Sequence, residues 1–100
     1  MNKLTYSDAR YAGEISKIES ALSKLRQIRG AMFNQLDVWG QPRRAGILAQ
    51  DVKGVLPEAV EEDPTGLLSL SYDSVVALLV EAVKELSDEV TRLKAERRSK

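Results

Sequence analysis

The 100-residue chain contains no cysteine and no histidine. That removes disulfides, thiolate zinc sites, and the Ser–His or Cys–His pairs of nucleophilic hydrolases, each of which needs one of those side chains. Net charge is also missing, since fifteen acidic residues balance fifteen basic ones. A general nucleic-acid binder is therefore not expected, because its affinity rests on neutralising phosphates. The longest apolar run, Val75 to Val80, is far short of the ~20 residues of a membrane span. Met1 to Thr5 lacks the apolar stretch of a secretory signal. These absences describe a soluble chain with no metal or cofactor, and with neither nucleic acid nor membrane as partner. One small domain of this length is only marginally stable by itself. Without disulfides or metals, oligomerisation is the usual supplement.

What is present concentrates at the C-terminal end. In sevens, Val76, Val83 and Val90 share one seam position, while Leu79, Leu86 and Leu93 share the other. Tyr72 lies one step upstream and Arg97 one step downstream. Alternating steps of three and four keep one apolar stripe facing a partner helix. Glu89 before Val90 and Lys94 after Leu93 have the spacing of an ion pair between parallel neighbours. A coiled-coil helix over 73–97 is expected, with Tyr72 to Arg97 spanning roughly 39 Å. A domain this small cannot cover such a rod, so the helix reads as a device for self-association.

Upstream, Ser7 and Asp8 can cap a helix start, but Gly13 points to a regular helix beginning near Glu14. Ile15, Ile18, Leu22, Leu25 and Ile28 then share one face, and Gly30 stands where a C-terminal cap belongs. Met32, Phe33, Leu36, Val38 and Trp39 lead into the turn signal Gly40-Gln41-Pro42, and Arg44 to Ala49 returns, which predicts an irregular β-hairpin. Gln50 to Leu56 reads as a short helical turn stopped by Pro57. Glu58 to Glu62 and Leu67 to Tyr72 flank Asp63-Pro64-Thr65-Gly66, a second hairpin. Ser71 or Asp73 caps the long helix. The expected fold is α+β and mainly helical: an N-terminal helix, two β-hairpins with a short helix between them, and the long C-terminal helix.

Three stretches, in this order, resemble one known module. They are Ser7-Asp8-Ala9-Arg10; Arg44-Ala45-Gly46-Ile47-Leu48-Ala49-Gln50-Asp51-Val52 followed by Leu56-Pro57-Glu58-Ala59-Val60; and Tyr72 with Leu78 to Leu86. The module is the C-terminal intramolecular chaperone, or auto-processing, domain of phage tailspikes and tail fibres, of the endosialidase type. The resemblance implies a domain over 7–100, preceded at 1–6 by the remnant of an upstream fibre or a leader. It implies a homotrimer whose partners are its own copies and the fibre segment of the same chain. It also implies work in the host cytoplasm during phage assembly, and presence in the virion tail only if the domain is not released. In the family, release is a self-cleavage immediately before the serine, with a lysine five residues later as its base. Such a lysine must be desolvated enough to be neutral near pH 7.

Five residues after Ser7 stands Ala12, which cannot take a proton. Lys3 and Lys17 lack the family spacing. Ser7 is thus expected to be a nucleophile without its base, and the chain to be an uncleaved chaperone. The alternatives are an active serine–lysine self-cleaving module and an unrelated coiled-coil adaptor. Valine at one seam position with leucine at the other favours two strands. The resemblance implies three, and the broad apolar surface from Val75 through Val83, with Leu78, Val80 and Ala82, suits the wider bundle. Gly46 is read as a close backbone approach or a bulge, and Asp51 and Gln50 as helix-start or cross-chain hydrogen bonders. Trp39 and Phe33 are read as core packing or as contacts to the attached fibre, and Arg43-Arg44 as a solvated hairpin edge.

Overall fold

The computed structural model describes residues 4, 6–36, 40 and 42–99. Its dominant element is helix α3, Tyr72–Arg98. Ser71 caps it by accepting from the Ser74 N–H at 3.2 Å. Asp73 in the first turn and Arg97 and Arg98 in the last complement the helix dipole. No glycine or proline interrupts the run. The two hairpins and the short helix between them follow the order read from the sequence. Strands β1 (Gly30–Phe33) and β2 (Arg44–Ile47) pair antiparallel, with Gly30 opposite Ile47 and Phe33 opposite Arg44. Helix α2 (Ala49–Val55) leads into a 3₁₀ turn opened by Pro57. Strands β3 (Val60–Glu62) and β4 (Leu68–Leu70) form the second ribbon. Its turn is organised by Asp63, whose Oδ1 accepts from the Thr65 N–H at 2.8 Å and the Leu67 N–H at 3.0 Å. Of the first hairpin's turn, Val38, Trp39 and Gln41 lie outside the described residues.

The N-terminal helix is where the sequence reading needs correction. Helix α1 covers only Ala21–Leu25, instead of running from Glu14 to Ile28. Glu14 (φ 48°) and Ser20 (φ 54°) are in left-handed conformations, which a continuous right-handed helix cannot include. Gly30 opens β1 rather than capping a helix. The apolar pattern is still used in part: Ile18, Leu22, Leu25 and Ile28 pack on the core, while Ile15 stays 73% exposed.

The core is thin. Ala21, Leu78 and Ala82 form one cluster, and Val52, Ala59 and Val75 form the other. Ile28 and Leu56 pack against both and join them. Small side chains at Ala21 and Ala82 let α1 approach α3 closely. With so few buried residues, each one matters. Leu78→Ala should cost about 2–5 kcal/mol, a large share of the stability of a domain this size, and should appear as a strongly lowered urea midpoint with an unchanged slope.

Arg29 and Asp51 tie the start of β1 to α2. The Arg29 N–H and Nε donate to Asp51 Oδ2 at 3.2 and 3.0 Å, and Nη2 donates to Oδ1 at 3.3 Å. Hydrogen bonding from the Arg29 side chain, then from its backbone, holds the Asp51 carboxyl below its ordinary value. A carboxyl depressed on folding adds stability above its unfolded pKa and loses it as pH falls through the folded one. Stability should therefore drop below about pH 4, and Arg29→Ala should flatten that drop, as checked by thermal melts across pH 2–7.

The molecule extends 59 × 36 × 26 Å, with a radius of gyration of 17.5 Å, against roughly 13 Å for a compact domain of this length. Its accessible surface is 8820 Å², against roughly 5,700 Å² for a compact monomer of its mass. Helix α3, 27 residues and roughly 40 Å long, supplies part of this elongation, and the exposed residues 6–17 add to the surface. No helix among the described residues is long and apolar enough to cross a membrane.

Candidate assembly face and processing site

Two faces of α3 have opposite fates. Val75, Leu78 and Ala82 are buried under the chain's own α1, α2 and hairpins. The heptad residues Tyr72, Val76, Leu79, Val83, Leu86, Val90 and Leu93 all lie on the surface, between 41% and 59% exposed. Part of the broad apolar surface from Val75 through Val83, whose width suits a larger bundle, is thus consumed within the chain. What is left bare is a continuous heptad stripe, joined at one edge by Val80, 51% exposed. Glu89, read as a partner for Lys94 of a neighbour, is engaged by Arg92 of its own helix, which also holds Glu96 at 2.6 Å.

Glu85 escaped the sequence reading as anything beyond part of a motif. Its Oε2 accepts from the Ala21 N–H at 2.7 Å and its Oε1 from the Leu22 N–H at 3.2 Å. Ser20 supplies no side-chain cap to α1, so a carboxylate 64 residues away supplies the cap. This sets where α1 starts. The available signal was its seven-residue offset from Leu78, which places both on the buried face. Glu85→Ala should raise amide exchange across α1, while Glu85→Gln, which keeps an acceptor oxygen, should retain much of the protection.

The segment carrying Ser7 lies apart from this core. Asp8 caps a 3₁₀ turn, Ala9–Tyr11, by accepting from the Arg10 N–H at 2.9 Å. Arg10 Nη2 also donates to Asp8 Oδ2 at 2.7 Å. The Ala12 N–H closes the turn on the Ala9 carbonyl at 3.2 Å. Ser7 and Ala12 therefore bracket a single turn. The Arg10 side-chain hydrogen bond, followed by its backbone bond, holds the Asp8 carboxyl below its ordinary value, which makes Asp8 a poor base for Ser7. Lys17 is exposed, and Lys3 lies outside the described residues. Among the described residues no three acidic side chains converge as metal ligands.

The motif from Arg44 to Val60 builds structure. A Cβ at Gly46 would come within 2.9 Å of the Phe33 ring and 3.1 Å of the Tyr72 hydroxyl, so side chains crowd this position, rather than the backbone approach or bulge read from the sequence. The Arg44 guanidinium stands 5.5 Å from the centre of the Phe33 ring. Arg43 Nη2 donates to the Met32 carbonyl at 3.0 Å. Ala49 begins α2, Gln50 is exposed on it, and Asp51 receives Arg29. Val52 and Ala59 are core, and Pro57 starts the turn between them.

The chain thus joins a thin core and an exposed heptad stripe on α3 to an N-terminal segment in which Ser7 immediately precedes the Asp8-capped turn. Residues 7–61 match the family described as "Chaperone of endosialidase", and the chain belongs to that family. It is 40% identical over 96 residues to the long tail fiber protein Gp37 of Enterobacteria phage K3, a match covering 89% of this chain and 8% of that protein. Gp37 of phage T2 matches equally, over 7% of its length. Gp37 of phage M1 is 46% identical over 55 residues, covering 52% of this chain and 22% of that protein. The chain thus spans only a small fraction of these relatives.

Proposed function

We propose that this domain trimerises through the heptad face of α3 and brings the attached segments of a phage tail fibre into register for folding. The observation that carries the reading is the uncovered stripe from Tyr72 to Leu93. Its six valines and leucines are each about half exposed, so association would contribute roughly 5–9 kcal/mol gross per chain, before the entropy of association is charged. An intertwined fibre has few contacts within a chain and many between chains, so its formation is slow and prone to misalignment. Local association of one end raises the effective concentration of everything attached to it. The partners are two further copies and the fibre segment of the same chain, and the place of action is the host cytoplasm during phage assembly.

We further propose that this copy is not released from its fibre. Release would require Ser7 to lose its hydroxyl proton, yet the family base position holds Ala12, and Asp8 is committed to Arg10. Light scattering across a dilution series tests the first part: a mass of three chains supports it, and a single chain at all concentrations refutes it. A self-cleaving module would lose everything before Ser7 from a version carrying an upstream fibre segment, as read by mass spectrometry. An intact mass is expected.

A further inference from the structure

Followed toward its N-terminus, the chain leaves α3 at one place. Residues 6–17 are exposed, and the hydrogen bonds that shape the turn Ala9–Tyr11 stay within it. Residues 15–18 face Ala77, Val80, Glu81 and Lys84 across an open groove, and Ile18 packs on the cluster of Ala21, Leu78 and Ala82. Just beyond, the half-buried Glu85 takes the Ala21 and Leu22 N–H groups at 2.7 and 3.2 Å. Its neighbour Leu86 faces outward in the heptad stripe. One turn of α3 therefore carries both the anchor for the N-terminal segment and part of the exposed seam.

Apolar contact is non-directional, so packing of Ile18, Leu22 and Leu25 only partly fixes where α1 sits along the axis of α3. A carboxylate that accepts from two successive N–H groups fixes both distance and direction. A slip of one helical turn, roughly 5.4 Å, would take both N–H groups away from Glu85. No substitute is at hand. Ser20 gives no side-chain cap and the first turn of α1 holds no acid, while Glu81, one turn back along α3, is paired with Lys84 at 3.3 Å. We infer that Glu85 is a positioning residue: it locks the axial position of the upstream chain on α3, so that register set among associated helices is passed on to the fibre segments. The role depends on the association proposed above. It supplies the joint without which the seam would align the helices and not what they carry.

Engineered cysteines give a clean test, since the chain has none of its own. Ser16→Cys is paired in turn with Ala77→Cys, Val80→Cys or Glu81→Cys, and the rate of disulfide formation within one chain is read on non-reducing gels. With Glu85 present, one of the three positions should link fastest. Glu85→Ala should reduce that preference by about fivefold, the worth of a helix cap, and Glu85→Gln should restore most of it. Ser23→Gly weakens α1 at an exposed position without touching the cap, and should leave the preference in place. In a version carrying an upstream fibre segment, Glu85→Ala should still give a mass of three chains by light scattering, but a several-fold smaller yield of protease-resistant fibre. An unchanged preference, or an equal loss with Ser23→Gly, would overturn the inference. So would a normal fibre yield from Glu85→Ala, or a Glu85→Ala chain that no longer associates while its parent does. A parent chain that stays single at every concentration would overturn the association reading as well, and the scattering measurement tells the two failures apart.

Discussion

Leu86→Glu should leave the chain folded and single. Leu86 is 49% exposed and belongs to neither core cluster, so within one chain the substitution exchanges one surface side chain for another, with a helix former in place of a helix former. In an assembly, every chain would place a carboxylate in the same apolar layer. Each copy loses the burial of half a leucine, roughly 1 kcal/mol, and must also accommodate like charges in a site with little water, which costs several kcal/mol more. The association constant should fall by at least about 100-fold. Circular dichroism should still report the helix, and light scattering should report one chain. Leu78→Glu is the informative contrast. It lies on the same helix eight residues away but is fully buried, and it should unfold the domain. If Leu86→Glu unfolds the chain too, or leaves the assembled mass unchanged, the heptad stripe is not the contact surface.

Ala12→Lys should turn an uncleaved domain into one that cuts immediately before Ser7. Ser7 and residue 12 stand at the two ends of the turn Ala9–Tyr11, so a lysine there has a flexible stem with which to reach back toward the serine hydroxyl. It would act only in its neutral form, so the rate should rise with pH toward the amine's pKa. Desolvation in the assembled state would lower that pKa and bring the rise closer to neutrality. The measurement is the time course of mass loss in a version with an upstream fibre segment. Combining Ala12→Lys with Ser7→Ala should abolish the loss. Chains that remain whole across pH 7–10 would remove the support for Ser7 as a processing site. Cleavage in the unaltered chain, with Ala12 in place, would show that some other group acts as base.

Much of this protein was legible along the chain. The run of alanine, leucine, valine, glutamate and lysine without glycine or proline commits 72–98 to a helix, whatever surrounds it. Asp63-Pro64-Thr65-Gly66 commits the second hairpin, since Asp63 can organise that turn through its own neighbours. These features depend on interactions within a few residues or on a strict period, which is the information a sequence displays.

The start of α1 and the division of α3 into two faces belong to the tertiary structure. Ile15 to Ile28 has helical spacing, yet the chain turns left-handed at Glu14 and Ser20, and the helix begins where Glu85, far along the chain, can accept from its free N–H groups. Likewise Val75, Leu78 and Ala82 are as apolar as Val76, Leu79 and Val83, and composition alone cannot say which set a chain keeps for itself. Contact with Ala21, Val52 and Ala59 decides it, because small side chains in α1 and in the turn after α2 permit close approach on one side only. The other set is left exposed on the surface of a single copy.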